Sequence, residues 1–125
     1  MKQERKIIFH EHYFQDFYLE VNDSVKDKIG YVFRVIKTVE KVPEKFLKHI
    51  SGTEGLYEIR IESGSDIYRV FCCFDRGNLV VLFNAFQKKT QKTPKSEIEM
   101  AKKLKQEYFT SKEEQNGKGT SNKKH

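Results

Sequence analysis

Apolar and polar positions along the chain follow two different periods, one helical and one extended. Lys6 to Phe9 (KIIF) is a short extended run. From His12 to Val21, Phe14, Phe17 and Tyr18 are spaced to share one face of a short amphipathic helix. Asn22 or Asp23 then offers an N-cap, and Val25, Ile29, Val32, Ile36 and Val39 recur every three or four residues, predicting a helix with one buried stripe. Gly30 inside it costs about 1 kcal/mol relative to Ala, so it marks a close helix contact. Pro43 ends or restarts the helix, and Phe46, Leu47 and Ile50 predict further helical turning before Ser51-Gly52-Thr53-Glu54-Gly55.

At Leu56 the period becomes extended. Leu56 to Glu62, Ile67 to Asp75 and Asn78 to Phe86 are rich in Ile, Val, Phe and Tyr, and short glycine-containing links at Ser63 to Asp66 and Arg76-Gly77 join them as consecutive hairpins. Pro94 at a helix start, a capping-box pair Ser96 and Glu99, and the stripe Ile98, Ala101, Leu104, Tyr108 predict a C-terminal helix. The order β-α-α-β-β-β-α predicts an α+β fold, an antiparallel sheet with helices packed on one face. Residues 1–109 form one domain on this reading. After Phe109 no apolar residue remains, so 110–125 is expected to be a disordered polar tail.

Composition narrows the class. With 125 residues a second core has too little chain to build on, while ten Phe and six Tyr supply aromatic material for one. No apolar run is long enough to span a membrane, and none of signal-peptide length opens the sequence, so a cytoplasmic protein without a membrane partner is expected.

The net charge of +6 is concentrated. Lys88, Lys89, Lys92 and Lys95 stand close together without an acid, the tail adds a smaller excess, and the body is balanced. A neutral body with one basic stretch points to an anion or nucleic-acid contact at a defined place; the plainer reading is a solvated lysine loop. Cys72 and Cys73 are adjacent in an extended run and face opposite ways, fitting structural thiols in a reducing compartment. His10 and His12 make an HxH pair without an identifiable third ligand, so no metal site and no cofactor is assigned.

Strand register gives a sharper signal. Either length of the first hairpin loop pairs Glu62 with Ile67, and therefore Arg60 with Arg69 and Glu58 with Phe71. A two-residue second loop sets Asp75 opposite Asn78 and Arg69 opposite Asn84; a longer or bulged turn shifts that register. Glu58, Arg60, Arg69, Phe71, Asn84 and Lys88 then share one face, with Phe86 further along it. Tyr57, Ile59, Ile61, Tyr68, Val70, Cys72, Phe74, Val81, Phe83 and Ala85 line the core face. Directly opposed arginines are destabilising unless an anion lies between them. A phosphate fits their planar forks, and Phe71 or Phe86 offers a surface on which a base can stack. The competing reading is a surface network in which Glu58 neutralises Arg60.

The strings LYEIRI, YRVFCCFD and LVVLFNAFQKKTQKTP, followed by EIEMAKKL, resemble the HigB-like branch of the RelE/ParE superfamily of type II toxin-antitoxin toxins. The resemblance is specific from Leu56 to Leu104 and extends in element order over about Lys6 to Phe109. It implies a small curved antiparallel sheet with two helices on one face and a C-terminal helix. It also implies a metal-independent endoribonuclease, an mRNA interferase that cuts message on the ribosome by 2′-hydroxyl attack. The implied partners are ribosome-bound mRNA and a cognate antitoxin, often a helix-turn-helix protein from the adjacent gene.

Carried onto matching positions, the resemblance makes Arg69 and Arg60 phosphate-stabilising residues. Lys88 and Lys89 become backbone-holding or charge-stabilising residues, and Lys92 lies in the same basic string. Relatives often carry a His or Tyr near the end of the last strand, where this chain has Asn84, Phe86 and Gln87. Proton transfer is therefore open: Glu58 is a candidate base or an orienter of Arg60, and a lysine such as Lys88 a candidate acid. Two other functions suit the same fold: a ParE-type toxin that binds DNA gyrase, and a catalytically degenerate member that binds RNA or antitoxin.

Overall fold

The computed structural model describes residues 4–122, with side chains described as far as Gln115. The elements in chain order are β1 (Lys6–Phe9), α1 (Tyr13–Glu20), α2 (Asp23–Thr38), β2 (Leu47–His49), β3 (Tyr57–Ser63), β4 (Asp66–Asp75), β5 (Leu79–Lys88) and α3 (Lys95–Asn122). The strands form one five-stranded sheet in the order β1-β5-β4-β3-β2. Pairing is antiparallel throughout except at the edge, where β1 lies parallel to β5. The α+β class holds, and the sheet is mixed at that one edge.

The two N-terminal helices form where the apolar period places them. The Asn22 side chain accepts from the Val25 N–H at 3.0 Å, capping α2, and Val25, Ile29, Val32 and Ile36 are all buried. At the other end Arg5 donates from Nη1 to the carbonyls of Ile36 and Val39 at 2.8 and 2.7 Å, and from Nη2 to that of Glu40 at 2.6 Å. A cation on terminal carbonyls satisfies orphan acceptors and complements the helix dipole. After Pro43 the expected helical turning does not continue. Phe46 and Leu47 donate back to the Pro43 carbonyl in a single turn, and Leu47–His49 then pairs with β3. Three apolar residues fit either period; the open edge of β3 supplies the hydrogen bonds that make this stretch a strand.

The β3–β4 hairpin has the expected register, with Glu62 opposite Ile67 and Arg60 opposite Arg69. Gly64 takes a positive φ of 62° in its tight loop. The second hairpin departs from expectation. Asp75 pairs with Leu79, so Arg76, Gly77 and Asn78 all lie in the turn, with Arg76 and Gly77 at positive φ. Then Cys72 pairs with Leu82 but Val70 with Ala85, which sets Phe83 and Asn84 together against Phe71 as a β-bulge. Arg69 consequently faces Phe86, not Asn84.

This shift sorts β5 differently between two cores. Val70, Cys72, Val80 and Leu82 pack with Ile29, Val32 and Ile36 under α1 and α2. Phe71, Cys73, Val81 and Phe83 pack on the opposite face with Leu56, Ala101 and Leu104 under α3. Val81 and Phe83, expected on the first face, belong to the second, because the turn holds one more residue than a two-residue loop. Helices therefore cover both sides of the sheet, α1 and α2 on one and α3 on the other. Cys72 and Cys73 are free and buried in different cores, and burial pushes both thiols up, that of Cys73 to about 11.

The polar segment beginning at Thr110, expected to be disordered, continues α3 as far as Asn122; residues 123–125 lie outside the described residues. The continuation is anchored by charge, not by an apolar stripe. Asp75, 6% exposed, accepts from Tyr108 Oη and from Lys112 Nζ, each at 2.7 Å. Burial and the Asp75 contact push the Tyr108 hydroxyl up to about 12. Among the described residues no helix is long and apolar enough to cross a membrane.

The Lys112 bond, and the Tyr108 bond with it, hold the Asp75 carboxyl below its ordinary range against the opposing effect of burial. The stability this pairing contributes is present above the unfolded aspartate pKa of about 4 and is lost as pH falls through the lower folded value. Urea unfolding should therefore show a steeper acid loss in the wild type than in Asp75→Asn. Tyr108→Phe should cost about 1 to 2 kcal/mol at pH 7. Equal pH profiles for wild type and Asp75→Asn would disprove this anchor.

Candidate nucleic-acid interface

Arg60 on β3 and Arg69 on β4 are directly opposed, and Glu58 lies two residues from Arg60 on the same face of β3. Glu58 Oε2 stands 3.3 Å from Arg60 Nε and 3.6 Å from Arg69 Nε. The anion between the two guanidinium groups is thus the protein's own carboxylate. Neither Nε is aligned on it as a hydrogen-bond donor, so the contacts are ionic. Arg69 spends Nη1 on the Tyr68 carbonyl at 3.1 Å, and Arg60 Nη1 approaches the Glu44 carbonyl at 3.5 Å.

Exposure separates the three. Side-chain exposure is 3% for Arg69, 13% for Glu58 and 28% for Arg60. Burial lowers the pKa of the Arg69 guanidinium, with Glu58 opposing the shift and Arg60 adding to it. Guanidinium nonetheless keeps its charge in proteins, so a nearly enclosed cation is held beside one shared carboxylate. Removing that carboxylate would leave two facing cations, one of them desolvated.

The other sequence-derived residues divide into those at this end of the sheet and those enclosed by α3. Lys88, half-buried, ends β5 opposite Ile67 and shares a face with Arg69 and Phe86. Lys89 and Lys92 are exposed in the segment that leads to α3. Phe71 is fully buried and packs edge-on against Phe86 at 5.2 Å, so it has no face open to a base; Phe86 is half-buried. Asn84 is 5% exposed, and its Nδ2 donates to the carbonyl and to Oε1 of Glu97 at 3.0 and 2.9 Å. It braces the first turn of α3 on the bulge. Phe71 and Asn84 are therefore corrected from expected RNA contacts to packing and bracing residues, because α3 covers the sheet where they lie.

Beside this end of the sheet a cleft of about 570 Å³ is lined by Tyr13, Asp16, Phe17, Tyr68, Phe86 and Gln87 among others. No sequence period marked it, because α1 and β5 contribute to it from distant parts of the chain. His10 and His12 lie beyond β1 and do not act as a pair. His12 contacts Asp16 at 2.7 Å, while His10 lies edge-on to the rings of Phe83 and Tyr108. Among the described residues no group of three or more His, Cys, Asp or Glu is placed to hold a metal ion.

The arginine-faced, five-stranded mixed sheet with helices on both sides is a small α+β fold. Residues 16–106 match the family described as Phage derived protein Gp49-like (DUF891), and the chain belongs to it. This is a RelE/HigB-type toxin family of toxin-antitoxin systems, which implies an antitoxin partner. No curated protein matches the chain.

Glu58→Ala should destabilise the fold by about 3 kcal/mol, the usual cost of leaving a buried ion unpaired. Sulfate or phosphate should raise the melting temperature of that variant more than that of the wild type. An equal response in both proteins would show that no anion enters between the arginines.

Proposed function

We propose that this protein is a HigB-like toxin that acts as a ribosome-dependent mRNA interferase. The observation that carries the reading is the single Glu58 carboxylate between Arg60 and Arg69, on the sheet face that also carries Lys88 at the end of β5, where the basic stretch begins. An enzyme cutting RNA by 2′-hydroxyl attack must take a proton from that hydroxyl, stabilise the charge gathering on phosphorus and protonate the departing 5′-oxygen. Glu58 is the base in this proposal, and its proximity to the guanidinium groups sets the proton acceptor next to the phosphate clamp. Arg60, the more open arginine, meets a non-bridging phosphate oxygen, with Arg69 behind it as a fixed positive charge.

The 2′-oxygen bonds to phosphorus as its proton passes to Glu58. The P–O5′ bond breaks as Lys88 gives a proton to the leaving oxygen, leaving a 2′,3′-cyclic phosphate and a 5′-hydroxyl. Lys89 and Lys92 hold flanking backbone, which neutralises phosphates at the cost of salt sensitivity. Phe86 offers a partial stacking surface.

The burial of Arg69 favours a second reading, in which the arginine pair is a structural brace and the protein acts by binding alone, either to DNA gyrase or to RNA. The two readings separate in a reconstituted translation system with mRNA ends mapped by primer extension. The interferase reading expects cuts in translated message only, and a loss of roughly a hundredfold or more in rate for Arg60→Ala and Glu58→Gln. Intact message together with toxicity and DNA-damage signalling would overturn it. Full cutting by Arg60→Ala would reject the site.

A further inference from the structure

The cleft beside the end of the sheet differs in chemistry from the arginine face that adjoins it. β1 pairs with β5 only from Leu79 to Leu82, and one further bond joins the His10 N–H to the Leu82 carbonyl at 3.0 Å. The chain then turns at Glu11, φ 62°, into α1. Beyond Leu82 the outer edge of β5 has no neighbouring strand among the described residues, and the cleft of about 570 Å³ lies between this edge and α1. Its volume is in the range of small-molecule sites. Phe86 belongs to both surfaces: it lines the cleft and is directly opposite Arg69. Paired residues on neighbouring antiparallel strands have Cα atoms about 5 Å apart. The cleft therefore begins one rung of the ladder from the enclosed arginine.

The rings of Tyr13, Phe17, Tyr68 and Phe86 wall it. Phe17 and Tyr68 meet edge to face with centroids 5.9 Å apart, while Tyr13 and Phe86 are half-buried. Tyr68 is only 6% exposed, and burial, then Asp66, pushes its hydroxyl up with no hydrogen bond contributing among the described residues. That leaves a hydroxyl donor at the cleft wall. The charged groups of the lining are of one sign. Asp16 and Glu20 stand one turn apart on α1, and among the described residues the lining holds no lysine or arginine. His12 Nδ1 meets Asp16 Oδ2 at 2.7 Å, which fixes that carboxylate and leaves its second oxygen. Lys88, the neighbour of Gln87, shares the other face of β5 with Phe86. Two carboxylates repel a phosphate and accept from N–H groups, so the cleft suits a base and not the RNA backbone. Gln87, exposed and opposite Tyr68, adds an amide donor.

We propose that this cleft takes a guanine base of the substrate RNA, swung round the open β5 edge from a phosphate held at Arg60 and Arg69. Guanine alone among the four RNA bases presents two adjacent N–H donors beside a carbonyl oxygen on its pairing edge. The α1 carboxylates accept from N1–H and N2–H, Gln87 donates to O6, and the ring stacks against Phe86 and Tyr13. Adenine and cytosine set a ring-nitrogen acceptor where guanine has N1–H, which places it against a carboxylate. The assignment rests on the interferase reading and adds base choice to it.

The test uses the full chain in the reconstituted translation system, on message carrying either guanosine or inosine at the same positions, with cut ends mapped by primer extension. Inosine keeps N1–H and O6 and lacks the N2 amino group. The wild type should cut beside guanosine about tenfold faster than beside inosine, and the double variant Asp16→Asn, Glu20→Gln should cut beside both alike. Both side chains are exposed on α1, so the variant should keep the wild-type melting temperature. Arg60→Ala should slow both cuts by one factor and leave their ratio unchanged. A ratio near one in the wild type, or a ratio unchanged in the double variant, overturns the guanine site while leaving the interferase reading intact. A folded double variant that cuts neither message makes these carboxylates essential to the reaction instead of selective, and also overturns it. Message left uncut by the wild type overturns both readings together.

Discussion

The central strand β4 must satisfy two hydrophobic cores at once, and the rest of the structure follows from that constraint. Its alternation sends Val70 and Cys72 to α1 and α2, and Phe71 and Cys73 to α3. A strand buried on both faces has little tolerance for error in pairing, because a one-residue slip exchanges the two sets. The bulge at Phe83 and Asn84 changes the phase of β5 part-way along β4. Before it, Val81 and Phe83 serve the α3 core; after it, Ala85 packs with the α1 and α2 core and Phe86 with the α3 core.

The same bulge separates the packed part of the α3 face from its charged end. Asn84, displaced from the ladder position opposite Arg69, reaches Glu97 and holds the start of α3. Beyond that turn the face carries Arg60, Glu58, Arg69 and Lys88. A buried cation is tolerable only beside a compensating charge, and Glu58 provides it for both arginines. The carboxylate that makes the pair stable also occupies the space between them. The charge balance of both arginines therefore rests on one residue.

The charged face and an apolar groove lined by Phe9, Leu19 and Gly30 lie on opposite sides of one thin sheet. One collects the arginines and the β5 lysines; the other leaves Phe9 and Leu19 in water around a glycine. A protein of this size therefore presents two faces of unlike chemistry. α3 belongs to the first of these faces, and its middle is tied to β4 through Asp75, Tyr108 and Lys112.

Local patterns determined much of this. The stripe from Val25 to Ile36, the Asn22 cap, the three long strands and the opposition of Arg60 to Arg69 follow from period, capping and a tight loop, each of which acts over a few residues. Tertiary structure decided what depends on distant surfaces. Leu47–His49 became a strand because β3 had an open edge, and Arg76 to Asn78 took a wider turn than the tight loop the sequence suggests. The apolar stripe of α3 met Phe71, Cys73, Val81 and Phe83 instead of joining the other helices. Its continuation past Phe109 depended on Asp75, more than thirty residues earlier. Glu58 was legible as a neighbour of Arg60, but its place between two guanidinium groups, and the enclosure of Arg69, are properties of burial. Burial is set by everything packed around a residue, and no local pattern carries it.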